Sequence, residues 1–312
     1  ALRLFINFGD EEGAADAHWI AAWIASDRGY SAARDAGLEA CATHARLAND
    51  AMRADIADAA LARLSIWRHA RANQAQWGQQ FPHNLDGIHP ALEGWINDYR
   101  GALAFQANDF GHAAAMRTHA YEAALETGQI QRAIYAAANI GASFAHLNDH
   151  FAALEWKQRG LDLALPTGWP CSIGLSLIHT AETLRLLGRL DTAHELLAKA
   201  RNTLQTLSDS RCYTLALRNL GDLALDQGSC FEALDTFRQL EERADSLHQA
   251  DFQATARRGQ AHALSYLDRP QEALQIGMIA LSMAREDGNA SQQIAALRVL
   301  AEIHSRHELP FR

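Results

Sequence analysis

Valine is almost missing from this chain: Val299 is the only one in 312 residues, whereas alanine supplies about a fifth of them. Strands draw on β-branched residues that fit a pleated surface, and alanine, leucine, arginine, glutamate and glutamine favour helices. A chain so composed can hardly build a sheet. The expectation is an all-α fold, which excludes the sheet-based architectures that carry many nucleotide and hydrolase sites. Lysine is nearly as scarce, with only Lys157 and Lys199, so positive charge is almost entirely arginine. The balance of 28 basic against 37 acidic side chains gives −9, which argues against nucleic acid as a partner. Cysteine is limited to Cys41, Cys171, Cys212 and Cys230, with no C-x-x-C pair; in a chain this long that reads as reduced, buried thiols in the cytoplasm. Long apolar runs are missing too. Leu2 to Phe8 is far short of the roughly 20 residues that span a bilayer, and it lacks the basic flank and cleavage site of a signal peptide. A first residue Ala1 reads as a processed or trimmed chain.

Catalytic signatures are equally thin. There is no Gly-rich phosphate loop, no G-x-S-x-G and no H-E-x-x-H, so neither an enzyme nor a bound cofactor is expected. His146 and His150 bracket Asn148-Asp149 at i, i+4, but a turn separates them and no third ligand offers itself, so no metal site is expected. Trp19 and Trp23 at helical spacing read as core.

What the chain does have is an internal period of forty. Alanine recurs at Ala33, Ala113, Ala153, Ala193, Ala233 and Ala273, the first gap being two periods. Twelve residues before each stands a small residue: Ala21, Gly101, Gly141, Ala181, Gly221 and Ala261. Between the two columns lies turn chemistry, as in Asn108-Asp109, Asn148-Asp149, Gly188-Arg189 and Gln227-Gly228. Each repeat therefore reads as helix A, a turn, helix B and a turn, with small residues at the closest approach. Helices A are expected near 91–107, 130–147, 171–187, 211–226 and 251–267; helices B near 110–127, 150–165, 190–207, 230–247 and 270–287. The second repeat departs from this pattern. Its column position is Asn73, its helix A falls at about 52–72, and Phe81 to Pro90 cannot be continuous helix, so an irregular loop is expected at 78–90.

These columns resemble the tetratricopeptide repeat (TPR), which pairs a small residue in helix A with an alanine twelve residues on, as in Gly141 with Ala153 and Gly221 with Ala233. The helix-B aromatic of that family appears only at Phe237; Arg117, Lys157, Leu197 and Gly277 fill the slot elsewhere. Forty residues also exceed the family's usual 34. The resemblance implies an α-solenoid of antiparallel helix hairpins wound as a right-handed superhelix, one domain over 1–312 of about seven and a half repeats. The last helix A, near 289–306, has no helix B after it, which predicts a chain that continues and an apolar face of Ile294, Leu297, Leu300 and Ile303 open to a partner, a second copy included. Segments such as Ala181 to Asp191 look like long-repeat TPR regions of bacterial signalling proteins, most of all those preceding the GGDEF domain of diguanylate cyclases. LuxR-type regulators and free-standing TPR scaffolds are the alternatives.

Carried over by the period, the positions that line a TPR groove are Trp95, Asp98 and Tyr99; Tyr135 and Asn139; Ile178 and Glu182 with Arg185; Arg218, Asn219 and Asp222; and Arg258 and His262. Arg218-Asn219 matches a basic residue followed by asparagine in peptide-clamping members, although His179 and Gly259 interrupt the asparagine column. An asparagine amide can hold a peptide backbone while arginine forks onto a carboxylate. The competing reading is that these residues form salt bridges, such as Arg218–Asp222 at i, i+4 or Glu182–Arg185 at i, i+3. The function expected is a non-catalytic sensory or interaction module that binds a peptide, protein segment or small ligand and regulates an output domain, without membrane or nucleic-acid contact.

Overall fold

The computed structural model describes residues 2–66, 77, 80–207 and 211–307, and among these every regular element is helical. Asn73, the far end of the 52–72 helix and positions 78–79 of the expected loop lie outside the described residues. The chain divides into two compact bodies, Ala1–Thr183 and Leu184–Arg312. The N-terminal body contains α1 (Leu2–Phe8), α2 (Glu11–Asp27), α3 (Ser31–Leu47), α4 (Ala51–Ser65), α5 (Pro90–Gln106), α6 (Phe110–Glu126), α7 (Ile130–His146) and α8 (His150–Ala164), and the dividing line falls near the end of α9 (Pro170–Leu186). The C-terminal body contains α10 (Leu190–Leu204), α11 (Arg211–Asp226), α12 (Cys230–Ser246), α13 (Ala250–Tyr266), α14 (Pro270–Glu286) and α15 (Ala290–Arg306). Successive helices pack against one another from α1 to α8 and from α10 to α15.

Turn chemistry sets this register. A residue with positive φ ends nearly every helix: Asn108, Gly128, Asn148, Gly168, Gly188, Gly228, His248, Asp268 and Gly288, with φ between 53° and 74°. Most are Gly, Asn or Asp, which reach the left-handed region most cheaply. At Asn108 the chain reverses through hydrogen bonds from Asn108 N to Phe105 O (3.1 Å) and Asp109 N to Ala104 O (2.9 Å). Asp109 then caps the next helix by accepting from His112 N at 3.1 Å, and Asp149 does the same for Ala152 N at 2.9 Å. Pro90, Pro170 and Pro270 each open a helix, where the missing N–H costs nothing.

From Ala113 onward the alanine column is fully buried, with Ala113, Ala153, Ala193, Ala233 and Ala273 all at 0% exposure, whereas Ala21 and Ala33, expected at the first close approach, are exposed and Ala22 is the buried residue there. Its small partners matter in a way that follows from the helix-B slot. A Cβ on Gly101 would lie 2.8 Å from Arg117 Cγ, one on Gly141 2.7 Å from Lys157 Cγ, and one on Gly221 2.7 Å from Phe237 Cζ. Glycine stands in helix A where the facing slot holds arginine, lysine or phenylalanine, whereas alanine, Ala181, stands at the position paired with Leu197. Where the slot is itself Gly277, the helix-A residue is Ala261.

The segment 81–89 is irregular, and it closes over the body: Phe81 packs edge-on against Tyr99 at 5.5 Å, and the Pro82 carbonyl accepts from Arg100. The apolar face of α15 is only half open. Leu300 and Ile303 are buried against α13 and α14, whereas Ile294 and Leu297 are about half exposed. The side of α15 that meets the preceding repeat is covered without any helix B of its own.

Candidate functional site

The candidate positions lie along the helices A, and the two bodies present them differently. In the N-terminal body, Trp95, Asp98 and Tyr99 of α5 are buried at 4, 6 and 2% exposure. Asp98 forms an ion pair with Arg63 of α4, Nε to Oδ2 2.9 Å. Burial alone would raise its carboxyl, but the guanidiniums of Arg63, Arg132 and Arg117 outweigh that and hold it below the usual carboxylate range. Burial pushes Arg117 and Arg132 down to about 10, which still leaves both charged at neutral pH. Arg132 lies 4.3 Å from the Trp95 ring centroid, and the Trp95 Nε1–H donates to Gln129 Oε1 at 3.1 Å. Asn139 is half-buried, and its carbonyl accepts from both Arg117 and Ser143 Oγ at 3.1 Å.

Further along this body, Lys157 crosses the core from the helix-B slot. Its Nζ donates to Thr183 Oγ1 at 2.8 Å and lies 3.7 Å from Glu182. Burial lowers the Lys157 pKa, with Glu182 opposing. His179 Nδ1 is also within 3.9 Å of Glu182. Glu182 thus faces both the Lys157 ammonium and the His179 ring. The first hairpin reaches this same body: Asp27 Oδ1 accepts from Ser172 N (3.0 Å) and Ser172 Oγ (2.9 Å), with Ser172 wholly buried.

In the C-terminal body, Arg218 and Arg258 line one open cleft of about 210 Å³ together with Thr255, Ser291, Gln292 and a floor of alanines. Burial pushes Arg258 below the ordinary arginine value, with Asp222 opposing and Arg218 adding to the shift. Asn219 is not at this surface. It is 1% exposed and its Nδ2 donates to Leu215 O of its own helix at 2.9 Å, so the amide expected to clamp a peptide backbone is turned into the helix. Arg185 pairs with Asp226 at 2.5 Å. His262 Nε2 lies 3.1 Å from Glu302 of α15, which also accepts from the Tyr266 hydroxyl at 2.9 Å. Ion pairs between helices thus engage Asp98, Glu182, Arg185 and His262, with Arg63, Lys157, Asp226 and Glu302 as their partners; Arg218 and Arg258 line a cleft.

The sequence reading did not include Arg63, Arg117, Arg132 or Lys157 among the site residues. Arg117 and Lys157 occupy the slot where the resembled family carries an aromatic, and that departure was the visible signal. Arg132 precedes Tyr135 by three and Asn139 by seven, which places all three on one helix face. His146, in contrast, stacks on Phe110 at 4.5 Å, and no group of three or more metal-ligating side chains forms among the described residues. No described helix is long and apolar enough to cross a membrane.

No protein-family model matches the chain, and no curated protein matches it in sequence. Solved structures do. A Rap protein complexed with Competence and Sporulation Factor superposes with a TM-score of 0.71 at 13% identity, covering 96% of this chain and 87% of that one. The apo quorum sensor NprR from B. thuringiensis gives 0.64 at 13% identity over 97% and 82%. The Rap conjugation gene regulator of plasmid pLS20, in complex with the Phr* peptide, gives 0.60 at 14% identity over 93% and 78%. At such identities the likeness is one of fold: the chain is an all-α, TPR-like helical solenoid.

Proposed function

We propose that this chain is a non-catalytic module that binds a peptide or an extended protein segment and thereby regulates a partner. The observation that carries this is the cleft of the C-terminal body. Two guanidiniums, a threonine, a serine and a glutamine converge over small residues that leave the backbone approachable. Arginine forks onto carboxylates, and hydroxyl and amide groups hold a peptide backbone. A solved structure of the same fold, the pLS20 Rap regulator, was captured with a peptide, which supports the same use here. These likenesses carry no link to a diguanylate cyclase, so the regulated partner is proposed without that output; a LuxR-type regulator suits the reading better.

The test starts from a peptide selected by display against the full chain and titrated calorimetrically. Arg218→Ala combined with Arg258→Ala is expected to weaken binding by about tenfold or more per arginine, while the melting temperature changes little. Undiminished affinity in that double variant would refute the assignment. Asn219→Ala is left out because its amide supports its own helix.

A further inference from the structure

Three buried arginines gather around one buried carboxylate in the N-terminal body. Arg63, Arg117 and Arg132 surround a single carboxylate, Asp98, and all four residues are at least nine-tenths buried. Arg63 is ion-paired with Asp98. Arg117 donates to the Asn139 carbonyl and the Ser143 hydroxyl, both at 3.1 Å. Arg132 stands apart, because its Nε, Nη1 and Nη2 are all buried and none makes a hydrogen bond. Its close neighbour is the indole of Trp95, a contact that engages the face of the guanidinium and leaves its N–H edges unused. The fold also makes room for the group: a Cβ on Gly94 would lie 2.8 Å from Nη2 and 2.9 Å from Nη1. A seated, stacked, charged guanidinium with no acceptor is costly to bury unless an acceptor reaches it.

We infer that Arg132 is the receptor for a carboxylate, brought either by an acidic side chain or C-terminus of a peptide or by a small organic acid. A planar guanidinium held by an aromatic face offers a fixed fork that suits a two-oxygen acceptor. The next repeat shows the same preference. Ser172 stands forty residues after Arg132, at the corresponding place on α9, and its amide and hydroxyl hold the carboxylate of Asp27. Two successive registers thus present carboxylate donors; the chain's own hairpin serves one, and Arg132 supplies the other. Trp23 of α2 stacks on Trp95 at 5.4 Å, so the arginine lies beneath a tryptophan layer. Uptake of a carboxylate shifts that layer, which makes indole fluorescence a direct reporter.

The experiment titrates the full chain at constant ionic strength with sodium glutarate, with glutaramide as neutral control. In parallel it uses the acetylated, amidated peptide Ala-Asp-Ala-Asp-Ala against its asparagine counterpart. Fluorescence and melting temperature are expected to respond to the carboxylates and not to the amides; the tighter of the two acidic probes identifies the source. Arg132→Gln is expected to weaken the response about tenfold or more, and Arg238→Gln, at an exposed position on α12, to leave it unchanged. Should Arg132→Gln fail to fold, hydrogen exchange on the unaltered chain decides: carboxylate must protect residues 94–99 and 132–136. No response to either carboxylate, equal response to the amides, a response surviving Arg132→Gln, or protection only elsewhere overturns the proposal. Because the Arg218/Arg258 cleft has its own peptide assay, either site can fail without the other.

Discussion

His248 holds a φ of 53° in the turn between α12 and α13, at a register where Gly128, Gly168 and Gly288 fill the equivalent turns. For a side chain bearing a Cβ the left-handed region costs roughly 1–2 kcal/mol, and glycine removes that cost. His248 is exposed and its imidazole is not needed for packing. His248→Gly should therefore stabilise the chain by about 0.5–1 kcal/mol, read as a higher melting temperature; a lower one would mean the imidazole holds the turn in another way. Turn residues were the most legible part of the sequence, because Asn, Asp and Gly announce a backbone conformation by their own chemistry. Asn219 was not legible in the same sense. Its place on α11 follows from the period, but the helical register fixes only the direction of its Cα–Cβ bond. Whether the amide meets a ligand or turns back to the Leu215 carbonyl depends on the packing around it. Arg132 escaped for the opposite reason: nothing in a sequence marks an arginine that is buried without a hydrogen-bond partner.

At the scale of helices, the observed bounds fall within a residue or so of those read from the column spacing, as with Ile130–His146 against 130–147; at the end of α10 a short 3₁₀ turn, Gln205–Leu207, carries the chain on to 207. The period located the closest approaches but not what closes them. Gly141 sits under Lys157, and its added Cβ would also come within 2.9 Å of the Ala153 carbonyl, a backbone atom that cannot swing aside. Gly141→Ala is therefore expected to destabilise the chain by about 1–3 kcal/mol despite alanine's better helix propensity, because overpacking outweighs the propensity gain of roughly 1 kcal/mol. Denaturant unfolding measures it, and a stabilised variant would show that α7 and α8 can separate freely. Pairing Gly141→Ala with Lys157→Ala should recover part of the loss, since shortening the slot removes the Cγ in the way.

In a solenoid built only from nearest neighbours, stability is a sum of repeats and interfaces, and distant repeats unfold independently. The C-terminal body follows that pattern, each helix meeting the next, with α11 also meeting α13 and α13 meeting α15. The N-terminal body does not, because Asp27 at the end of α2 holds the first turn of α9 across 145 positions of chain. The bond acts as a helix N-cap supplied from far away, and it makes the first hairpin and the last helix of that body open together. Asp27→Ala would leave the Ser172 amide and hydroxyl buried without their acceptor, a loss of about 1–3 kcal/mol for each group. Hydrogen exchange should therefore accelerate at two places at once, the α2–α3 turn and the first turn of α9, while α11 to α15 stay unchanged. Acceleration at only one of the two would show that the contact is a local cap. Concerted acceleration would mean that releasing the first hairpin, which also carries Trp23 onto Trp95, is the motion that uncovers the arginines beneath.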